Sequence, residues 1–215
     1  MSLDHILLGM MHEPASGYDL KREFEQSVRH FWFAELSQIY PALKKLEERG
    51  LLSSRPVPSS RGPERRVFET TGAGSEELER WLTSEPLIPK DRITYLAQLF
   101  FMGEMEDLSA TEQFMERLRG SMATRLAVLE AIEAEWMGAI GIDGAALAVD
   151  GGALTEIEDD RVFHMYTTLR MGIHSLRSRV EWCDETLRAI RARQTRPRAS
   201  TEDEGGSNPA IETAR

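Results

Sequence analysis

The sequence predicts a mainly α-helical protein of two modules, in which three short helices closed by a two-stranded hairpin precede a longer helical half. Three observations predict it. Apolar residues recur at helical spacing over most of the chain. Between Leu51 and Thr70 this gives way to two β-prone runs, Leu51 to Arg55 and Arg65 to Thr70, around a loop of Pro, Ser and Arg. From Val162 to Ile190 the apolar residues alternate spacings of 4 and 3, a heptad stripe.

Leu3, Ile6, Leu7 and Met10 mark a first amphipathic helix, capped by Ser2 and ended by Glu13-Pro14. After Ser16-Gly17, the residues Tyr18, Leu20, Phe24 and Val28 give a second short helix with Lys21, Arg22, Glu23 and Glu25 in solvent. An aromatic turn, His30-Phe31-Trp32-Phe33, leads to a third helix that Ser37 is placed to cap. There Ile39, Leu43 and Leu46 bury one face, while Gln38, Lys44, Lys45 and Arg49 lie elsewhere on the cylinder. Gly50 stands where a left-handed cap ends a helix. The prolines of the following loop forbid regular pairing and leave a hairpin with a cationic tip. Three helices and a basic hairpin make a winged helix-turn-helix, whose third helix enters the major groove and whose wing meets the flanking phosphates.

A fourth helix over Ser75 to Ser84 carries Leu78, Trp81 and Leu82, and Glu85 to Pro89 then breaks the chain. The expected organisation is a DNA-binding module over residues 1–88, a helical dimerisation and effector module over 89–193, and a disordered tail over 194–215. Within the second module, Asp91 to Met102 forms a helix, and Ser109-Ala110-Thr111-Glu112 is a capping box opening a long helix to about Met137. The glycine-rich stretch 138–159 is read as a mobile connection. The final stripe of Val162, Tyr166, Leu169, Ile173, Leu176 and Val180 is read as a dimer seam, with docking inside its own monomer as the alternative. Trp32, Tyr95 and Phe100 are candidates to line an apolar effector cavity between the two modules.

The chain of 215 residues carries a net charge of −10, which by itself argues against nucleic acid. Its distribution argues otherwise. Residues 36–66 hold 7 Lys and Arg against 3 Asp and Glu, whereas residues 91–215 hold 14 against 22. The single cysteine, Cys183, excludes an intramolecular disulfide and a multi-Cys zinc site, and the five histidines do not stand at ligand spacing. No nucleophile elbow or phosphate-binding glycine loop is present, so no enzymatic role and no cofactor is expected. The absence of a long apolar run or a basic leader predicts a cytoplasmic protein.

Several of these stretches together resemble the PadR family of bacterial transcriptional regulators. They are Leu7-Leu8-Gly9-Met10, Ser16-Gly17-Tyr18-Asp19-Leu20, Ser37-Gln38-Ile39-Tyr40-Pro41-Ala42-Leu43-Lys44-Lys45-Leu46, Glu48-Arg49-Gly50-Leu51, Arg65-Arg66-Val67-Phe68 and Leu99-Phe100-Phe101. The resemblance implies a homodimeric winged-helix repressor, bound to a pseudo-palindromic operator and released by a small apolar or aromatic ligand. It assigns DNA contact to Tyr40, Lys44, Arg61, Arg65 and Arg66. Gln38 and Lys45 join them from the polar face of the third helix. One departure is the wing sequence Arg61-Gly62-Pro63-Glu64, where many members have Gly-Arg-Pro; Glu64 weakens the attraction for phosphate there. A winged-helix adaptor without DNA binding and a MarR-type regulator are the alternatives. The MarR arrangement places a dimerising helix before the winged module, whereas here the first winged-module helix begins at Leu3.

Overall fold

The computed structural model describes residues 2–58, 65–88, 92–105, 107–140, 154–155 and 157–196. The described elements are α1 (Ser2–Met10), β1 (Ala15–Ser16), α2 (Gly17–Ser27), α3 (Leu36–Glu48), β2 (Leu52–Val57), β3 (Arg65–Thr70), α4 (Gly72–Leu82), α5 (Thr94–Phe101), a single 3-10 turn at Met102–Met105, α6 (Leu108–Ile140) and α7 (Asp160–Gln194). The chain divides into two compact units. One comprises Met1–Arg92 with Thr124–Arg177, the other Ile93–Ala123 with Ser178–Arg215.

In the first unit, α1, α2 and α3 bury the stripes that their spacing predicts. Leu7, Leu20, Phe24, Ile39, Leu43 and Leu46 meet in one core, which Leu52 and Phe68 of the hairpin close. Each such side chain contributes about 1.5–3 kcal/mol relative to exposure. Ser16 caps α2 through the Asp19 amide, and the Asp19 carboxylate accepts from the Ser16 amide, so the two form a reciprocal box. Gly50 has φ of 72°, and the Leu51 amide donates to Leu46 O at 2.9 Å while the Gly50 amide donates to Glu47 O at 2.8 Å. That double return fixes where α3 ends and β2 begins.

The sheet has three strands in the order β1-β3-β2, all antiparallel, and Leu52 to Val57 of β2 run against Arg65 to Thr70 of β3. The hairpin expected from the sequence is therefore present, with β1 added on the far edge of β3. At two residues, β1 is too short to carry a periodicity of its own.

The same unit holds a second core between α6 and α7, where Leu129, Met137, Tyr166, Leu169 and Ile173 interlock with Leu126, Ile132 and Leu176 beside them. The Tyr166 hydroxyl donates to Glu133 Oε1 at 2.8 Å, and Arg170 Nη1 donates to the same oxygen at 3.1 Å. Burial, reinforced by the Glu133 carboxylate, pushes the Tyr166 hydroxyl well above its ordinary range. In the second unit Met115, Cys183, Leu187 and Ile190 form a third core. Arg119 holds Asp184 at 2.5 Å, and Arg191 bridges Glu112 and Glu116 at 2.6 and 2.7 Å.

Several boundaries differ from the sequence reading: α4 opens at Gly72 behind a Thr71 cap and not at Ser75, and α5 spans Thr94–Phe101 and not Asp91 to Met102. Asp107, not Ser109, caps α6, accepting from the Ser109 and Ala110 amides at 2.8 and 3.2 Å. The helix then runs through Gly138 to Ile140, because Met137 is buried in the α6–α7 core and holds its last turn in place. Leu154 and Ile157 also pack on that core, whereas 141–153 and 156 lie outside the described residues, as do 197–215 of the tail. Finally, α3 is capped by Glu35, one residue before Leu36 opens the helix. No described helix is long and apolar enough to cross a membrane.

Candidate nucleic-acid interface

Helix α3 carries its core residues on one side and turns Ser37, Gln38, Tyr40, Pro41 and Lys44 to solvent. Its candidate contacts are held in four different ways. Gln38 occupies the third helical position after Glu35, and its Oε1 accepts from the Glu35 amide at 3.0 Å, so this side chain helps to start the helix. The Tyr40 ring lies against Gly17 at the start of α2: a Cβ at Gly17 would stand 2.5 Å from Tyr40 Cε1. Gly17 thus makes the seat for the ring, whose 49% exposure leaves its outer side open.

Lys44 is the freest cation of α3, 74% exposed and 3.6 Å from Glu48 one turn on. Surface pairs of this kind are worth little and break readily. Lys45 behaves differently, donating to the Asp4 carboxylate at 3.0 Å, and Asp4 is buried to 7% exposure. Arg49 reaches Asp4 at 3.6 Å and Glu77 of α4 at 3.4 Å. Glu77 also takes His5 at 3.3 Å and Arg80, and His5 stacks on Trp81 with 4.9 Å between centroids. The His5 hydrogen bond, with Arg80 and Arg49 close by, holds the Glu77 carboxyl below its usual range. These charges tie the C-terminal half of α3 to α1 and α4.

On the wing, Arg65 stands 3.7 Å from Asp19 and Arg66 lies 2.8 Å from Glu47. The Ser16 hydrogen bond, more than Arg65, lowers the Asp19 pKa. Arg61 lies outside the described residues.

The remaining candidates are dispersed. Trp32 packs half-buried on the first core, and its unit is that of Met1–Arg92. In the other unit, Tyr95 stands 6.5 Å from Trp182, centroid to centroid, and Phe100 is 80% exposed with its edge toward Phe101. Along the α7 stripe, Tyr166, Leu169 and Ile173 are covered by α6 of the same chain, and Val162, Leu176 and Val180 are half-buried.

Known families match two separate stretches of the chain. Residues 6–80 match the Transcriptional regulator PadR-like family, and residues 92–191 match the Virulence activator alpha C-term family. The chain is 30% identical over 203 residues to "Probable transcriptional regulator Rv1176c" of Mycobacterium tuberculosis, an alignment covering 90% of this chain and 100% of that one. The chain belongs to the PadR-like family of transcriptional regulators. Negative transcriptional regulator PadR of Bacillus subtilis is 29% identical over 123 residues, 56% of this chain and 68% of the relative. Its crystal structure with operator DNA superposes with a TM-score of 0.74 at 22% identity, covering 88% of this chain and 99% of that one. Its complex with p-coumaric acid gives a TM-score of 0.68 at 21% identity, covering 89% and 99%. The winged-helix fold of this PadR-like chain is thereby shared with solved relatives.

Three residues beside the candidate contacts escaped the sequence reading: Gly17, Glu47 and Arg55. Each acts through a partner distant in sequence, Tyr40 for Gly17 and Arg66 for Glu47, or through the hairpin register for Arg55. The alternation of β2 is the one signal that marks Arg55, since it places that residue opposite in sense to Ser54.

Proposed function

We propose that this PadR-like regulator binds operator DNA as a homodimer, with α3 in the major groove and the wing along the flanking backbone, and that it represses until a small aromatic or apolar ligand releases it. The observation that carries the reading is the outer face of α3. Tyr40 and Lys44 stand exposed one turn apart on a helix whose other side is locked into the core, and Arg65 extends from the adjoining wing. A rigid helix offering polar tips beside a cationic hairpin is the geometry that groove and phosphate contact require.

The dimer reading draws on α5. None of its eight residues is fully buried, although Leu99 packs at the edge of the third core, and Leu96, Phe100 and Phe101 are 42%, 80% and 63% exposed, with Met105 of the next turn at 60%. Apolar surface of this density calls for a partner. The α7 stripe, by contrast, is largely consumed by α6, so we place the main dimer contact on α5 and not on Tyr166, Leu169 and Ile173. The ligand reading draws on the B. subtilis relative, whose structure contains p-coumaric acid.

The test is selection of bound fragments from a genomic DNA pool with the purified protein. Enrichment of an inverted repeat with half-sites about 10 base pairs apart is the expected result, reflecting two recognition helices related by a twofold axis. Recovery no better than for bulk DNA would remove the DNA-binding reading. With the operator in hand, p-coumaric acid is the first ligand to titrate. Coupling is reciprocal, so any loss of operator affinity it causes must be matched by an equal loss of its own affinity when operator is saturating.

A further inference from the structure

Resting on that DNA-binding reading, we infer that the wing divides its arginines between two tasks: Arg55 and Arg65 on one face are the phosphate ligands, and Arg66 on the other face is a strut that fixes the wing to the end of α3 through Glu47 and Ser54. Glu47 Oε1 accepts two hydrogen bonds, from the Ser54 hydroxyl at 2.6 Å and from Arg66 Nη2 at 2.8 Å. Arg66 Nε closes the triangle by donating to Ser54 Oγ at 2.6 Å, and its guanidinium lies 5.8 Å from the Phe68 ring centroid. Three elements, α3, β2 and β3, thus converge on one carboxylate. Two of its five guanidinium N–H groups are used in this triangle, and any movement of Arg66 toward a phosphate would surrender both hydrogen bonds. It would also leave Glu47 as an uncompensated anion beside the incoming phosphate.

Alternation along the strands decides which arginines remain. Ser54 and Arg66 belong to the face that carries Phe68 into the core, so Arg55 and Arg65, each one residue away, point to the opposite face. Their Cα partners are Val67 and Val57, which makes the two arginines diagonal neighbours on the hairpin. Arg55 is exposed and has no hydrogen bond or ion pair among the described residues. Among the described residues Arg65 has only the 3.7 Å approach to Asp19, whose Oδ2 already accepts from the Ser16 hydroxyl at 2.6 Å and the Ser16 amide at 3.1 Å. Neither cation is committed. Glu69, the acid on this face, pairs with Ser53 two rungs further from the tip than Arg55.

The experiment is a salt titration of binding to a fluorescein-labelled mixed-sequence duplex, read by anisotropy, for the wild type and for the Arg55→Ala, Arg65→Ala and Arg66→Ala variants. Each phosphate ligand removed should flatten the slope of log affinity against log salt by about 0.9 per chain bound. Arg55→Ala and Arg65→Ala are expected to show that loss. Arg66→Ala is expected to bind more weakly at every salt concentration with the wild-type slope. If Arg66→Ala folds too poorly to titrate, the paired change Glu47→Leu with Arg66→Met leaves no orphaned charge and should likewise keep the wild-type slope. An Arg55→Ala slope equal to wild type, or an Arg66 variant that loses the 0.9, overturns the division of roles. Wild-type protein that binds no duplex at all sinks the DNA-binding reading instead, so the two failures are separable.

Discussion

Substituting Gly17 by Ala isolates what the position of Tyr40 contributes to DNA binding. The new Cβ would stand 2.5 Å from Tyr40 Cε1, 2.8 Å from Cζ and 3.1 Å from the hydroxyl oxygen. Carbon atoms rest at about 3.5–4.0 Å, so the ring must withdraw by about 1 Å. It can do so cheaply, because the obstacle is the end of a half-exposed side chain with two free torsions and not a backbone atom. Ala is also the better helix former, by up to about 1 kcal/mol over Gly. Melting temperature should therefore hardly change. DNA binding should change markedly. If the Tyr40 hydroxyl meets a backbone phosphate, displacing it forfeits a hydrogen bond to a charged group, about 1.5–3 kcal/mol, or roughly 10- to 100-fold in operator affinity. The control is the Tyr40→Ala background, where Gly17→Ala has no ring to move and should cost nothing further. Operator affinity unaltered by Gly17→Ala alone, or an equal loss in both backgrounds, would refute the reasoning.

Replacing Phe100 and Phe101 together by Asp should convert the protein to monomers by light scattering while far-UV circular dichroism stays unchanged, since neither ring belongs to a core; a persisting dimer would place the interface elsewhere. Gly74→Ala should be far more damaging than Gly17→Ala, because its Cβ would collide with the Leu51 carbonyl oxygen, which is backbone and cannot swing aside. A loss of about 3 kcal/mol is expected in denaturant unfolding. His30 is half-buried against α7, and its Nε2 must donate to Thr168 Oγ1 at 3.1 Å because that hydroxyl already donates to Met165 O. Burial holds the imidazole below its ordinary range, so the neutral form is favoured on folding. Its contribution is complete above the unfolded value of about 6.5 and is lost as pH falls through the lower folded one. His30→Gln should accordingly flatten the fall in stability as pH drops below about 6.5, and identical profiles would show that His30 carries none of it.

What was legible in the sequence was what is local. The end of α3 could be read because the whole cap lies within the six residues Leu46 to Leu51, with Gly50 at the left-handed position. The roles of Gln38 and Arg66 could not. Whether Gln38 faces DNA or its own helix start depends on which residue opens α3, and a shift of the cap from Ser37 to Glu35 makes Gln38 the residue that bonds backward. Arg66 is assigned by Glu47, 19 residues away, and by a hairpin register that no periodicity specifies. Likewise, the heptad stripe of α7 identified a long helix with an apolar seam but not the owner of the covering surface, since α6 of the same chain and a second copy satisfy the same spacing. Helix α5 made the opposite demand: its apolar residues are so frequent that the sequence reads as core, and only their exposure reveals that the single chain leaves them uncovered.

The placement of charge now bears on how such a protein discriminates among sequences. An excess of 36 acidic over 26 basic residues repels DNA at a distance, so little affinity for arbitrary duplex comes from the molecule as a whole. Within the reading module, Lys45 and Arg49 are bound to Asp4 and Glu77, and Arg66 to Glu47, which withdraws three more cations from non-specific phosphate attraction. Each of these acids spends its charge on posture: Asp4 and Glu77 fix α3 against α1 and α4, and Glu47 fixes the wing against α3. The few cations left uncommitted then act from a rigid frame, so a duplex whose phosphates fall at the wrong spacing gains only part of the attraction. A regulator built this way trades general affinity for dependence on groove geometry, and in the proposed dimer a ligand that altered the separation of two such frames would weaken operator binding without touching a single DNA-contacting side chain.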